Sequence, residues 1–299
     1  MREALEAITD ELRRLKAEGV NAVAVSEESL AQLREAVQAV KTQSVEEPAE
    51  PAKAPTSATR PSYQTPKSAA PTGTAPIPAQ TPVVKLPEGD KQTRWNALRD
   101  LVLNDPVCRA HVRPGKQVVL GVGSLEAKIV FCGEAPGADE EVQGEPFVGP
   151  AGQLLNRMIQ GMGLKREQVY IGNIMNWRPE MPLSANGEQY GNRPPSPEEM
   201  NYCLPYLRAQ LDVVQPELIV ALGATAAHGL LGQDAFKALG EIRGRWQQFA
   251  GRPVMVTYHP SYILRNQSNR SKRAIWEDLL QVMERAGLPI SDKQRGFFL

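Results

Sequence analysis

The chain has 299 residues, enough for one large domain or two smaller ones. Its 34 basic and 34 acidic side chains cancel, which excludes a global positive field, so a polyanion must bind at a local basic patch. Three cysteines make no disulfide framework, the N-terminus has no apolar signal-peptide segment, and no apolar run approaches the ~18 residues of a membrane span. We therefore predict a cytoplasmic protein that does not contact membranes.

The first 42 residues show two short amphipathic helical patterns. Apolar side chains recur in each at steps of three and four, and they are Leu5, Ile8, Leu12, Leu15, Leu30, Leu33, Val37 and Val40. The pattern predicts a small helical element over residues 1–42. Either it is a satellite hairpin without chemistry, or residues 1–41 bind a protein partner or a second copy of the chain.

Residues 43–92 form a segment rich in proline, alanine and threonine. Ten of the 25 prolines of the chain fall between Pro48 and Pro87, and large apolar side chains are scarce there. Such a segment cannot bury enough apolar surface to offset the entropy that ordering would cost. We therefore predict a flexible, partly extended linker.

Residues 93–288 alternate between strand-like and helix-like patterns, and residues 289–299 form a short C-terminal tail. This alternation predicts an α/β domain with a largely parallel central sheet flanked by helices on both faces. Ligands bind such sheets beyond the C-terminal ends of the strands. The predicted strands are 117–120, 128–132, 169–174, 218–222 and 254–258, and the predicted helices are 153–162, 197–214, 224–231 and 272–286.

A turn that is both glycine-rich and acidic follows the strand 128–132. Residues 133–137 read GEAPG, which predicts a tight turn that presents Glu134 at the sheet edge, although an ordinary turn with a solvated glutamate has the same pattern. Because carboxylates repel phosphates, a nucleotide tail is not expected there. Further on, Phe147 is bracketed by proline and glycine. It forms either a small local core or a platform on which a flat ring stacks.

Two further polar residues end predicted strands. Asn173 closes the strand VYIGN, and its carboxamide suits a planar imide edge, although turn and cap asparagines are also common. His259 precedes Pro260 where a ligand pocket is expected, so we expect it to be functional. Of the other histidines, His228 is expected to be a packed helix residue, and His111 receives no role.

Apolar and basic side chains follow His259. Apolar residues at a loop tip can wedge between stacked bases, and basic residues beyond them can neutralise phosphates. The alternative is the start of a helix with a solvated, charged face. The candidate DNA-contacting residues are Ser261, Tyr262, Ile263, Leu264, Arg265, Arg270, Lys272 and Arg273.

Five motifs between residues 94 and 286 resemble those of the uracil-DNA glycosylase superfamily, above all its bacterial and archaeal family 4. They are GEAPG, EPFVGPAG, VYIGN, RGRW and YHPSYILR. The resemblance implies a pocket for a flipped uracil, in which Phe147 stacks on the base, Asn173 reads its imide edge and His259 contacts O2. The turn residues implied to bind the substrate are Gly133, Glu134, Ala135, Pro136 and Gly137.

The expected activity is hydrolysis of the N-glycosidic bond of uracil in single- or double-stranded DNA, which leaves an abasic site. Because bond cleavage builds positive charge on the sugar and negative charge on the base, we expect Glu134 to position water and His259 to stabilise the leaving group. Three alternatives stay open. They are a non-catalytic binder of uracil or damaged DNA, a glycosylase for hypoxanthine or xanthine, and a partner-docking protein that acts through residues 1–41.

The sequence departs from family 4 at the iron–sulfur positions. Members of that family usually hold a 4Fe–4S cluster on four cysteines, of which Cys108 and Cys203 match two. Asp105 and Trp177 stand near the other two positions. A cluster normally needs four thiolates, so we predict no cofactor and no metal ligands.

The segment 181–192 is a second departure, because it is longer than the family norm. One relative of the family becomes trapped on its product through a loop histidine. No histidine occurs between Asn173 and Cys203, so that behaviour is not expected here.

Overall fold

The computed structural model describes residues 76–184 and 187–299. The helical element predicted over residues 1–42 and the predicted linker as far as residue 75 lie outside the described residues. Both therefore stay predictions.

Within the described residues, six strands form one sheet in the order β1-β3-β2-β4-β6-β5. The four inner strands run parallel, and each outer strand pairs antiparallel with its neighbour. This confirms the predicted α/β class with a largely parallel sheet. The strands are β1 (Val122–Gly123), β2 (Ile129–Gly133), β3 (Tyr170–Asn173), β4 (Leu218–Leu222), β5 (Trp246–Phe249) and β6 (Arg252–Thr257).

Helices connect the strands and cover the sheet, and several begin at side-chain caps. Asp90 accepts a hydrogen bond from the Thr93 N–H, and Ser196 forms a capping box with Glu199. The helices are α1 (Lys91–Leu103), α2 (Pro106–Ala110), α3 (Ala138–Gln143), α4 (Pro150–Gly161), α5 (Pro197–Val214), α6 (Ala224–Leu231), α7 (Pro260–Arg265), α8 (Asn269–Arg285) and α9 (Asp292–Arg295).

The central strands β2 and β4 are buried on both faces because they are apolar at every position. In β2, Val130 and Cys132 belong to one core, which α1, α5 and α6 also line, whereas Ile129 and Phe131 belong to a second core with α4 and α8. Strands covered on both faces are continuously apolar, as the sequence pattern predicted.

The prediction of a strand at residues 117–120 is wrong. Val118, Val119 and Leu120 are buried, but the Gln117 N–H donates to the Glu141 carbonyl and the Val119 N–H donates to the Asn176 carbonyl, so the hydrogen bonds of this run go to connecting segments. The short strand β1 begins only at Val122.

The packed region extends beyond residues 93–288 on both sides. On the N-terminal side, α1 begins at Lys91, and Ile77 and Leu86 pack against the core. On the C-terminal side, the Trp276 Nε1–H donates to the Gln294 carbonyl at 2.6 Å. The segment predicted as a tail therefore packs against α8.

No helix in the described parts of the chain has both the length and the apolar character needed to cross a membrane.

Candidate active site

A cavity of about 470 Å³ opens at the C-terminal ends of β2, β3 and β6. Because these strands run parallel, the segments that follow them meet at one edge of the sheet. The structure thus brings together four side chains that are far apart in the sequence. They are Glu134, Phe147, Asn173 and His259.

The GEAPG turn forms one wall of the cavity. Gly133 is required there, because a Cβ atom at this position would collide with the Asn173 amide and the Phe147 ring. Glu134 is half-buried, and burial raises the pKa of its carboxyl while a hydrogen bond with Thr225 opposes that shift. The carboxylate is therefore a stronger base than a solvated glutamate.

The remaining turn residues, Ala135, Pro136 and Gly137, also line the cavity. The Gly137 N–H donates to the Glu140 carboxylate at 3.0 Å. This donor is therefore bound within the protein.

Phe147 lies against Gly133 of the turn, in a backbone conformation that favours glycine, with φ at 55°. Its ring is buried, and the ring centroid is 5.7 Å from that of His259 with a tilt of 32°. A side chain with backbone strain of this kind persists only where the surroundings fix it. The rigid ring presents a flat apolar face to the cavity.

Asn173 is the last residue of β3 and pairs in register with Gly133 of β2. It is buried, and within the described residues its Oδ1 accepts no hydrogen bond. A buried polar atom normally has a partner. Asn173 is thus positioned to bind a polar group of a ligand.

His259 caps α7, and its Nδ1 accepts from the Ser261 N–H at 3.2 Å and lies 2.8 Å from the Ser261 Oγ. Burial, with a smaller contribution from Arg265, lowers the pKa of His259 to about 4. The imidazole is therefore neutral at pH 7, and because Nδ1 is an acceptor, the proton resides on Nε2. Gly223, at φ 94°, lets the chain approach, since a Cβ atom there would be 3.0 Å from the His259 Cβ.

The apolar tip after His259 differs from its prediction. Ile263 is buried in the core, whereas Leu264 is 37% exposed. Of the two apolar residues expected at the loop tip, Leu264 is therefore the exposed one. Tyr262 stacks on Tyr258 with ring centroids 4.4 Å apart, which stiffens the segment.

The predicted basic residues separate into two groups. Arg270 is exposed and Lys272 half-buried, and Arg265 lines the cavity together with Ser261. Arg273 instead pairs with Glu277 and donates to two carbonyl groups of the C-terminal segment. Its guanidinium is bound within the protein, so its position does not support the predicted contact with DNA.

Sequence reasoning missed Asn192 and Arg193, which also line the cavity. The Asn192 Oδ1 accepts from Arg178 at 2.8 Å, and Arg178 also pairs with Glu141 at 2.8 Å. These contacts leave the Asn192 amide group as a donor. The sequence signal was weak, because Asn192 ends the segment 181–192 rather than a strand.

The segment 181–192 is braced at its base by one buried side chain. The Gln189 amide donates to the Pro179 carbonyl at 3.0 Å and accepts from the Met181 N–H at 3.1 Å. This brace, the pair of hydrogen bonds made by Gln189, holds together the chain segments that enter and leave the loop.

The residues at the iron–sulfur positions lie apart from the cavity. Cys108 and Cys203 are buried together, and their mutual hydrogen bond and burial raise the pKa of the Cys108 thiol. The Asp105 carboxylate accepts from the Cys108 N–H and from the hydroxyls of Tyr202 and Tyr206, at 2.7 to 3.0 Å. The fourth position is filled by Trp177, which is fully buried and stacked on His111 with ring centroids 4.9 Å apart.

Comparison with known proteins gives a consistent result. The model of the uracil DNA glycosylase superfamily matches residues 120–280. A type-4 uracil-DNA glycosylase of Thermotoga maritima is 42% identical over 54% of this chain and 79% of that protein. Type-4 enzymes of Archaeoglobus fulgidus and Pyrobaculum aerophilum are 42% and 37% identical, over 49% and 58% of this chain and 71% and 87% of those proteins.

The prediction that this protein has no cofactor is wrong, because these relatives are type-4 enzymes, the group whose members carry an iron–sulfur cluster. The cysteine count was not a sufficient basis for it, since two of the four cluster thiols are present and in contact. The four positions as they stand fit a cluster only in part. Among the residues that the structure describes, no group of three or more His, Cys, Asp or Glu side chains is arranged to hold a metal ion.

The family model covers more than half of the sequence, and the chain in turn covers more than two thirds of each of these relatives. The sheet-edge cavity contains the side chains of the same motifs. The chain belongs to the uracil-DNA glycosylase superfamily.

Proposed function

We propose that this protein hydrolyses the N-glycosidic bond between uracil and deoxyribose in DNA and leaves an abasic site. The observation that carries the proposal is the common cavity of Glu134, Phe147, Asn173 and His259 at the sheet edge. The names of the curated relatives support the same reaction.

Base recognition uses two side chains that line the cavity. The Phe147 ring stacks on the flat face of the flipped uracil, which contributes about 1–3 kcal/mol per base. The Asn173 carboxamide faces the imide edge, because it offers one acceptor and two donors. Its Oδ1, which accepts no hydrogen bond within the described residues, receives the N3–H of uracil.

His259 stabilises the leaving base. When the bond between C1′ and N1 breaks, its electron pair passes to uracil, and negative charge accumulates on O2. The neutral imidazole donates its Nε2–H to this oxygen, while Ser261 holds Nδ1 as an acceptor. A preorganised donor of this kind stabilises the transition state by about 3–4 kcal/mol.

Glu134 acts on the water and on the sugar. Its carboxylate orients the attacking water, takes up one proton as the new bond from oxygen to C1′ forms, and stabilises the positive charge on the sugar. The departing uracil anion then gains a proton from solvent and Glu134 releases its proton to solvent, which completes the hydrolysis and restores the carboxylate. The raised pKa of Glu134 suits this role as a base.

DNA contact is assigned to the surface around α7. Extrusion of the base costs a few kcal/mol, and Leu264 fills the vacated space in the stack. Arg265, Arg270 and Lys272 neutralise phosphates near the cavity mouth. The substrate is DNA in single- or double-stranded form.

Cytoplasmic location stays a prediction, which the three free, buried cysteines favour. A protein partner or self-association through residues 1–41 is likewise a prediction.

The test is release of the base from oligonucleotides that contain uracil, hypoxanthine or xanthine. We expect abasic product from uracil, and a loss of about 10²-fold in kcat/KM for Asn173→Ala because a hydrogen bond to the base is removed. Tight binding of uracil DNA without abasic product would identify a non-catalytic binder. Faster release of hypoxanthine or xanthine would identify a different substrate.

A further inference from the structure

The backbone around Phe147 is held by a side chain that does not line the cavity. Arg166 lies in a short 3₁₀ turn, Arg166–Gln168, just before β3. Its Nη2 donates to the Pro146 carbonyl at 2.6 Å, and its Nη1 donates to the Phe147 carbonyl at 3.2 Å. The guanidinium thus binds two consecutive carbonyl groups.

A third contact fixes the guanidinium itself. Nη1 also donates to the Asn156 Oδ1 of α4 at 2.9 Å. Arg166 therefore joins the Phe147 loop, the helix that follows it and the segment that leads into β3, the strand that ends at Asn173. Arg166 therefore connects the backbone of Phe147 to the segment before the strand that carries Asn173.

The Glu140 carboxylate binds the backbone on the C-terminal side of Phe147. The Glu140 Oε1 accepts from the Val148 and Gly149 N–H groups, each at 3.0 Å. Four consecutive residues thus have their polar backbone groups bound by two oppositely charged side chains. The unfavourable φ of Phe147 lies between the two anchors.

We propose that Arg166 is a positioning residue for base recognition: it holds the Phe147 ring at the angle and depth at which the ring stacks on uracil. This inference rests on the proposed function. It depends on the planar fork of the guanidinium, because both terminal nitrogens donate at once, which a lysine ammonium cannot reproduce.

The decisive measurement is inhibition by free uracil, because uracil contacts Phe147 without needing the DNA surface. We expect Arg166→Met to raise the inhibition constant of uracil about tenfold, as expected when a stacking contact weakens. Arg166→Lys should cause a smaller rise. Affinity for a uracil-free oligonucleotide should stay the same. Arg109→Met, which replaces an exposed arginine, is the matched control and should change neither constant.

A double-mutant cycle separates positioning from a general loss of structure. If Arg166 acts through the ring, Arg166→Met should add no further loss of uracil affinity in a Phe147→Ala background. Equal losses in both backgrounds would overturn the proposal, as would an unchanged inhibition constant in Arg166→Met. Should Arg166→Met not fold, the same cycle with Arg166→Lys decides.

The two levels of inference fail in different ways. A wild-type protein that releases no uracil refutes the proposed function. An active wild type whose Arg166 and Phe147 variants behave additively refutes only the positioning role.

Discussion

Two carboxylates of the same domain lie in opposite environments. Glu134 borders a cavity, is half-buried and has the Thr225 side chain as a hydrogen-bond partner. Asp105 is buried and accepts from a backbone N–H and two tyrosine hydroxyls. A carboxylate whose lone pairs are occupied by the protein supports structure, whereas one with free lone pairs at a cavity can bind and activate a ligand.

The same contrast extends to the neighbours of each carboxylate. Around Glu134, the ring of Phe147 and the imidazole of His259 face open space. Around Asp105, Trp177 fills the interior and stacks on His111. Substitutions in the first region should therefore change turnover, and substitutions in the second should change stability.

The largest effect on turnover is expected for His259→Ala. Removal of the donor to O2 should lower kcat about 10²- to 10³-fold, with little change in melting temperature. Single-turnover kinetics on a uracil oligonucleotide measures the effect. His228→Ala is the matched control, because His228 stacks on Phe236 outside the cavity and should leave kcat unchanged. Similar kcat values for the wild type, His259→Ala and His228→Ala would exclude His259 from the mechanism.

Asp105→Ala should have the reverse effect: it should lower stability and leave kcat unchanged. It leaves two buried hydroxyls and one N–H without their acceptor, which should lower the free energy of unfolding by about 2–4 kcal/mol. Chemical denaturation measures that loss, and kcat of the folded fraction should stay near the wild-type value. Asp105→Asn, which keeps one acceptor, should lose less. A large fall in kcat at unchanged stability would place Asp105 in the function.

The pH profile should identify Glu134 as the base. Because burial outweighs the opposing effect of Thr225 and raises the pKa of Glu134, its carboxylate becomes protonated at a higher pH than a solvated glutamate. As the pH falls through that value, kcat/KM should decline about tenfold per unit. In Glu134→Gln the activity should be low and this decline absent, until His259 titrates near pH 4. An unchanged acid limb in that variant would exclude Glu134 as its source.

The smallest effect is expected for Leu264→Ala. Loss of the exposed wedge should lower kcat/KM several-fold on duplex DNA and hardly at all on single strands, where no gap needs filling. Leu183→Ala, at another exposed leucine, provides the control. An equal loss on both substrates would mean that Leu264 does not act as a wedge.

The sequence predicted the inner sheet and the cavity residues because both depend on local patterns. Continuous apolar runs marked the buried parallel strands, and the residues directly after them formed the cavity wall. The helices α5 and α6 match their predicted bounds because the residues at their ends are clear signals: Ser196 caps α5, and Gly223 and Gly232 flank α6. The edge strand β5 was missed because its sequence, WQQF, is polar at its centre.

Contacts between distant segments leave no such pattern in the sequence, so they could not be predicted from it. Glu140, Arg166 and Arg178 look like surface charges in the sequence, and only the fold shows the backbone groups that they bind. The run 117–120 has the apolar pattern of a strand because Val118, Val119 and Leu120 are buried, and burial gives this pattern with or without strand pairing. The cofactor prediction failed because it required thiolates at all four family 4 positions, whereas the relatives belong to the group that carries the cluster.

The Gln189 brace has a practical consequence for fluorescence labelling of this protein. All three native thiols are buried, whereas Glu188 is exposed on the loop that Gln189 closes. A fluorophore attached through Glu188→Cys would therefore label one site selectively. From there it would report, molecule by molecule, on the motion of a loop whose last residue, Asn192, lines the cavity.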